Sequence, residues 1–315
     1  MNNCPKKAST RDTYGKTLVE LGKKNKNIVV LDADLSASTR TCHFCKEFPD
    51  RFFNMGIAEQ DMISTAAGLA TTGKTVFTST FAVFCTGRAW DQVKVSVAYP
   101  KLNVKIVSTH GGITTGEDGV THQALEDICL MKVLPNMTVI VPADAIETRL
   151  AIIAAANASG PFYVRLSRQD TPILYENDNY GFKIGKGIVM RDGKDVTIIA
   201  CGIMVAGALD AAFDLEKKGI SCRVVNIHTI KPIDKELIIQ CAKETGRIIT
   251  AEEHQISGGL GSSVAEILAE NCPTKMIRIG INDTFAESGK PDELLEKYGL
   301  TSSDIACAVK QILNK

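Results

Sequence analysis

The sequence predicts an α/β protein built as two α/β domains with mostly parallel sheets. Three observations predict this class. Runs rich in β-branched residues alternate with helical runs along most of the 315 residues, one irregular stretch interrupts them at 170–190, and hydrophobic residues form 44% of the chain. Because parallel strands need crossover connections, this alternation favours parallel sheets. We expect a first domain over residues 1–175, a linker over 176–190 and a second domain over 191–315.

The first domain is expected to hold six strands. Short apolar runs bounded by glycine, proline or polar residues predict them at 28–32, 52–54, 75–79, 104–108, 138–141 and 162–166. Helical spacing predicts helices that include residues 88–98 and 145–158. Pro142 follows the fifth strand, and Asp144 is placed to cap the helix that comes next.

The second domain repeats the alternation. Strands are predicted at 196–201, 222–227, 248–251 and 276–279, and helices at 205–217, 234–245, 260–271 and 303–313. A block of about this length is an ordinary domain size.

Charge and composition restrict the possible partners. Lysine plus arginine equals aspartate plus glutamate, 36 each, so the charge gives no indication of a nucleic acid or membrane partner. No apolar run is long enough for a membrane span. The N-terminal segment has no apolar core after its basic residues, so we expect no signal peptide.

The ten cysteines indicate a reduced, cytoplasmic protein. Most lie in apolar segments and are expected to be core residues, namely Cys85, Cys129, Cys201, Cys222, Cys241 and Cys307. Cys42 and Cys45 have C-x-x-C spacing, but no second such pair completes a zinc site. Structural cysteines are the favoured interpretation over a metal or redox site.

Glu59 is the most informative single residue. The segment 51–62 reads RFFNMGIAEQDM, so a short strand is followed by Gly56 and then by a helix that begins near Gln60. Open α/β sheets place their ligands at such strand ends. The alternative is an ordinary acidic residue in the first turn of a helix, which the helix dipole favours.

The loop after the strand at 104–108 contains several groups able to do chemistry. Residues 109–122 include four glycines, together with His110, Asp118 and His122. Asp118 and His122 are four residues apart and would meet if the segment began a helix. Polar substrate recognition or proton transfer is favoured over metal binding, because no further ligand lies at a familiar spacing. A solvated loop without a function is the remaining alternative.

Aromatic and basic residues follow other predicted strands. Phe81 and Phe84 are three apart and would share one face of a helical turn, where they form either core or a shelf for a flat heterocycle. Arginines also lie near small hydroxyl residues in the segments 9–11, 36–40 and 167–169, and each segment could meet a phosphate or be surface.

Taken together, the motifs resemble the C-terminal half of transketolase. The resemblance covers nearly the whole chain, as a pyrimidine-binding domain followed by the C-terminal domain of that family. The matching segments are DADLSAS, NMGIAEQD, TSTFAVF, STHGGITTGEDGVTHQALED, LPNMTVIVPAD and VRLSRQ in the first block and EEHQISGGLGSSVAE in the second. As a set they are highly specific, although each one alone is weak.

The resemblance implies a role for each matching residue. Glu59 matches the catalytic glutamate that hydrogen-bonds the aminopyrimidine of thiamine diphosphate and favours its imino form. The other implied cofactor contacts are Phe81, Phe84 and Asp34. The resemblance implies that His110 and His122 are both catalytic and substrate-binding. The remaining implied substrate ligands are Asp118, Arg11, Ser38 and Arg168. The implied reaction is transfer of a two-carbon ketol unit from a ketose phosphate to an aldose phosphate, in pentose phosphate metabolism.

One departure from the family pattern concerns the diphosphate site. Thiamine enzymes hold the diphosphate through Mg²⁺ and a Gly-Asp-Gly motif, and this sequence contains no Gly-Asp-Gly. The resemblance therefore implies a split enzyme, in which an N-terminal transketolase subunit supplies the diphosphate and Mg²⁺ site. We expect no metal ligands in this chain, and a heterotetramer of two such pairs.

Three alternatives remain open. The segment GIAEQ is also close to deoxyxylulose-phosphate synthase, and the domain order is also that of a 2-oxo acid dehydrogenase β subunit. The histidine loop favours transketolase over both. A non-catalytic relative is disfavoured because Glu59, His110, Asp118 and His122 are all present.

Overall fold

The computed structural model describes residues 6–314. Its strands are β1 (Lys7–Ser9), β2 (Ile28–Asp32), β3 (Phe52–Asn54), β4 (Thr75–Phe81), β5 (Val104–Thr109), β6 (Thr138–Ile140), β7 (Phe162–Arg165), β8 (Asp170–Pro172), β9 (Ile188–Arg191), β10 (Val196–Ala200), β11 (Cys222–Asn226), β12 (Thr229–Lys231), β13 (Arg247–Gln255) and β14 (Lys275–Ile281). Each strand predicted from the sequence is present, and the short strands β1, β8, β9 and β12 were not predicted.

The α-helices are α1 (Thr10–Lys24), α2 (Ser36–Thr39), α3 (Cys42–Glu47), α4 (Glu59–Thr71), α5 (Trp90–Gln92), α6 (Asp127–Lys132), α7 (Ala145–Asn157), α8 (Met204–Glu216), α9 (Lys235–Thr245), α10 (Leu260–Asn271), α11 (Pro291–Lys297) and α12 (Ser302–Leu313). The described residues also form two 3₁₀ segments, Pro49–Arg51 and Ile113–Asp118, and two π-helical segments, Phe84–Arg88 and Val93–Ala98.

Local signals explain several helix ends. Asp144 caps α7 as predicted, since its side chain accepts the amide hydrogen of Glu147. The prediction of a continuous α-helix over residues 88–98 is wrong, because the short helix α5 is flanked there by two π-helical segments. Such insertions are frequent at functional sites.

Two mostly parallel sheets confirm the predicted fold class. In the seven-stranded sheet the order is β12-β6-β7-β5-β4-β2-β3, and every neighbouring pair is parallel except β12 with β6. In the five-stranded sheet the order is β14-β13-β10-β11-β9, with only β9 antiparallel. The carboxyl ends of β2, β3, β4 and β5 lie side by side, as the register pairs Asp32 with Asn54 and Phe81 with Thr109.

The two halves of the chain share an apolar core. Its largest cluster includes Leu31 and Ile106 of the first sheet together with Ile199 and Ile248 of the second. β12, from the second half of the sequence, pairs with β6 and completes the first sheet. Burial of this apolar surface stabilises the arrangement of the halves.

Buried polar contacts also join the halves. The Arg165 side chain donates to the Asp127 carboxylate at 2.8 Å and to the backbone oxygen of Glu253 at 2.9 Å. The buried Glu147 carboxylate accepts from Asn226 at 2.9 Å and from the Tyr175 hydroxyl at 3.2 Å. Two of these contacts, from Arg165 to Glu253 and from Asn226 to Glu147, cross between the halves and help to fix their orientation. The division into 1–175, 176–190 and 191–315 remains a prediction.

The cysteines in the described range are all free thiols. Cys85, Cys201, Cys222 and Cys241 are buried as expected. Two expected core positions differ, because Cys129 is half-buried and Cys307 is exposed on α12. Cys4 lies outside the described residues. Within 6–314, no helix combines the length and apolarity that a membrane span needs.

Candidate active site

Glu59 lies at the corner predicted for it. It is the first residue of α4, which follows β3 through a turn at Gly56, where φ is +69°. The side chain is almost fully buried, and its Oε1 accepts from Nη1 of Arg88 at 3.1 Å. The site thus places a buried carboxylate at the carboxyl edge of the first sheet and at a helix N-terminus, where negative charge is favoured.

An aromatic cluster lies beside this carboxylate. Phe81 ends β4 and Phe84 begins the π-helical segment, and their rings are stacked with centroids 5.8 Å apart. The His110 ring is stacked on Phe81 at 3.7 Å, and His122 meets Phe84 edge-on at 5.2 Å. The two phenylalanines therefore share a face as predicted, but through a strand end and a π turn instead of one α-helical turn.

Arg88 joins the carboxylate to the aromatic cluster. Its guanidinium carbon lies 4.1 Å from the centroid of the Phe84 ring, while the same group donates to Glu59. Half of the Arg88 side chain is exposed, so the ion pair contributes little to stability. The motif reasoning did not single out Arg88; its one signal is the spacing of four residues from Phe84.

His110 is held in an unusual environment. Its backbone has φ of +60°, which non-glycine residues seldom adopt, and its Nδ1 is hydrogen-bonded to the Thr109 hydroxyl at 2.8 Å. Burial, together with the positive charges of Arg11 and Arg168, lowers the pKa of His110 to about 3. The imidazole is therefore neutral near pH 7. The half-buried His122 is hydrogen-bonded to the Thr121 hydroxyl at 2.9 Å.

Asp118 does not lie where a helical spacing would put it. It ends the 3₁₀ segment, and the positive φ angles of Gly116 and Gly119 prevent a helix from continuing to His122. Within residues 6–314, Asp118 forms neither a hydrogen bond nor an ion pair with His122. Its carboxylate lies 3.4 Å from Nη1 of Arg168, so it contacts one of the predicted phosphate ligands.

The predicted phosphate ligands lie together although they are far apart in sequence. Arg11 donates through Nη1 to the backbone oxygen of Ser38 at 2.7 Å and through Nη2 to that of Arg168 at 3.0 Å. Asp34 is exposed after β2, with φ of +63°, and its carboxylate accepts from Asn54 at 2.9 Å. The sheet therefore brings all the predicted site residues to one edge.

A buried aspartate that the motifs did not identify organises the loop after β2. The Asp32 carboxylate accepts from the hydroxyls of Thr39 and Thr41 at 2.7 and 2.8 Å and from the Leu35 amide at 2.6 Å. Burial raises the pKa of this carboxyl, and these hydrogen bonds oppose the rise. The network fixes the turn that presents Asp34 and Ser38.

Comparisons with known proteins agree with this geometry. Residues 6–173 match the family described as transketolase, pyrimidine binding domain, and residues 185–305 match transketolase, C-terminal domain. A putative transketolase C-terminal section of Methanocaldococcus jannaschii is 55% identical, over 97% of this chain and 96% of its own length. A 6-deoxy-6-sulfo-D-fructose transketolase subunit of Clostridium sp. (strain MSTE9) is 44% identical, over 97% and 94%.

A solved structure also matches this chain along nearly its whole length. It is described as a split gene transketolase, inactive β4 tetramer, and it is 54% identical to this chain with a TM-score of 0.91. The match covers 97% of this chain and 98% of that chain. Membership of this family implies thiamine diphosphate dependence. The chain belongs to the transketolase family, as a C-terminal section of the split type.

Proposed function

We propose that this chain is the C-terminal subunit of a split transketolase that transfers a two-carbon ketol unit from a ketose phosphate to an aldose phosphate. The observation that supports it best is the buried Glu59 carboxylate beside the Phe81–Phe84 pair. A carboxylate next to stacked aromatic rings suits a flat heterocycle that also offers hydrogen-bond donors.

The contacts of Arg88 test whether an aminopyrimidine would fit. The guanidinium is a planar cation that donates to Glu59 and lies over Phe84, so it makes both contacts expected of the aminopyrimidine of thiamine diphosphate. The residues present therefore fit the group: Glu59 would bind the ring nitrogen, Phe81 and Phe84 would pack against the ring, and Asp34 would lie farther along the same edge. Bound thiamine diphosphate supplies the electron sink for ketol cleavage.

The histidines and arginines suit a sugar phosphate. His110 is neutral, so its ring can donate one hydrogen bond and accept another at a substrate hydroxyl or carbonyl. His122 and Asp118 lie on the same loop and would bind further hydroxyls. Arg11 contacts the backbones of both Ser38 and Arg168. These three residues would bind the phosphate at the far end of the sugar.

The second half of the cofactor site is proposed to come from another chain. A partner subunit would hold the diphosphate and Mg²⁺, and two pairs of subunits would form a heterotetramer. The relatives of matching length are described as a section and as a subunit, which supports this division. A cytoplasmic location is part of the same proposal, since all cysteines in the described range are free thiols.

The substrate is proposed to be a pentose phosphate. A second candidate is a sulfonated ketose, because one relative is described as a 6-deoxy-6-sulfo-D-fructose transketolase subunit. Sulfonate and phosphate are both tetrahedral oxyanions and would meet the same arginines. The histidine loop disfavours the deoxyxylulose-phosphate-synthase and 2-oxo acid dehydrogenase alternatives. The presence of Glu59, His110, Asp118 and His122 disfavours a non-catalytic relative.

The test is a ketol-transfer assay of this chain with its cognate diphosphate-binding subunit. The mixture would contain thiamine diphosphate, Mg²⁺, xylulose 5-phosphate and ribose 5-phosphate, with 6-deoxy-6-sulfofructose as a second donor. We expect turnover only when both chains are present. Turnover by this chain alone would refute the split subunit, and a stable, cofactor-loaded complex with no ketol transfer from either donor would refute the reaction.

A further inference from the structure

Arg11 has two further arginines near it, Arg40 and Arg168. We infer that Arg40 is a specificity-determining residue that binds the terminal oxyanion of the substrate, a phosphate ester or a sulfonate, together with Arg11 and Arg168. The inference rests on the proposed function for the identity of the sugar. The position and charge of Arg40 do not depend on the proposed function.

The packing of α1 places Arg40 near Arg11. Gly15 lies one helical turn after Arg11, on the same face of α1. A Cβ at Gly15 would lie 2.4 Å from the Arg40 carbonyl oxygen and 3.0 Å from the Arg40 Cβ. The chain at Arg40 therefore lies directly on α1. Arg11 also donates to the backbone of Ser38, two residues before Arg40.

The other two guanidinium groups already have partners. Arg11 donates to two backbone carbonyls, at Ser38 and at Arg168. Arg168 lies 3.5 Å from the Glu117 carboxylate and 3.4 Å from that of Asp118. These contacts orient both arginines but occupy part of their donors.

Arg40 has no such partner. Across residues 6–314, no carboxylate pairs with its guanidinium, and its Nε is buried without a hydrogen-bond acceptor. Burial lowers the pKa of Arg11, and the charges of Arg40 and Arg168 lower it further, as expected for like charges held close together. The Nε of Arg11 is likewise buried without an acceptor. A buried N–H group without an acceptor is costly, and a bound oxyanion could accept from these groups together.

The backbone at Arg40 is also unusual. It ends α2 in the left-handed region, with φ of +69° and ψ of +10°, where glycine or asparagine is the common choice. Strained backbone of this kind concentrates at ligand sites. Glycine would remove the strain, so folding alone gives no reason for an arginine at this position.

The experiment measures binding of ribose 5-phosphate to the full chain by calorimetry, with ribose as the uncharged match. Arg40→Met removes the charge and keeps much of the volume, and Arg40→Gly removes the charge and relieves the backbone. Arg247→Met is the control, since Arg247 is exposed at the start of β13. 3-Sulfopropanoate and inorganic phosphate separate sulfonate from phosphate recognition.

We expect both Arg40 variants to bind ribose 5-phosphate about tenfold more weakly than the parent chain and the control. Arg40→Gly should unfold at the same temperature as the parent chain or higher. Unchanged affinity in both variants, or no binding of ribose 5-phosphate or phosphate by the parent chain, would overturn the inference. Because this binding needs no thiamine diphosphate and no second subunit, a failed ketol-transfer assay would not affect the result.

Discussion

Replacement of Glu59 by glutamine tests the site most directly. Glutamine keeps the size of the side chain and an oxygen that can accept from Arg88, but it cannot be a carboxylate. We expect the two-chain complex containing Glu59→Gln to lose ketol-transfer activity by about 10²–10⁴-fold, the range for a positioned acid–base group. This corresponds to about 3–5 kcal/mol of transition-state stabilisation.

The same change should affect stability far less. Among residues 6–314 the one ion pair of Glu59 is with Arg88, whose side chain is half exposed, so its loss costs about 1 kcal/mol or less. Removal of a negative charge at the N-terminus of α4 costs about 0.3–1 kcal/mol. The expected loss of activity is therefore several times larger, in free energy, than the expected loss of folding stability.

The assay compares Glu59→Gln with Asp61→Asn in the reconstituted complex. Asp61 lies in the first turn of the same helix but is exposed, so its variant loses the same charge at the same helix end. Steady-state ketol transfer and denaturant unfolding are measured for both. Activity of Glu59→Gln within threefold of the parent complex, or an equal loss in Asp61→Asn, would refute the reasoning.

Three further predictions concern the aromatic cluster, the histidine and the contact between the halves. Phe84→Leu should weaken thiamine diphosphate binding by the complex about three- to tenfold, since it removes an aromatic face; cofactor titration measures this. Because burial lowers the pKa of His110 to about 3, the unfolded chain binds more protons, so the stability due to this group is full above about pH 6.5 and is lost as pH falls toward 3. Urea unfolding at pH 7 and 4.5 should show a smaller difference for His110→Asn. Gly112→Ala should destabilise the chain more than Gly73→Ala, because only the first Cβ would meet the Glu253 carboxylate, at 2.1 Å from its carbon.

Each of these predictions has a contradicting result. If the Phe84→Leu variant bound the cofactor as tightly as the parent complex, the pyrimidine ring would not be packed against Phe84. An equal pH dependence in His110→Asn and the parent chain would mean that the histidine is not held neutral. Equal losses in the two glycine variants, both at positive φ, would mean that backbone strain and not the Glu253 contact dominates.

Much of the site was predictable because its signals are local. Gly56 before Glu59 indicates a turn into a helix, and the structure has that turn and begins α4 at Glu59. Asp144 predicts a cap in the same way. The four-residue spacing of Asp118 and His122 did not lead to a helix, because Gly116 and Gly119 on either side of Asp118 adopt positive φ.

The sequence by itself determined the alternation of strands and helices, the strand ends that hold the site residues and the resemblance to transketolase. These follow from periodicity, turn residues and motifs, each confined to a few neighbouring positions. Only the tertiary structure decided that Arg88 pairs with Glu59, that Arg40 lies against α1 and that β12 completes the first sheet. Those contacts depend on strand order and register, which join residues far apart in the chain and leave no local pattern.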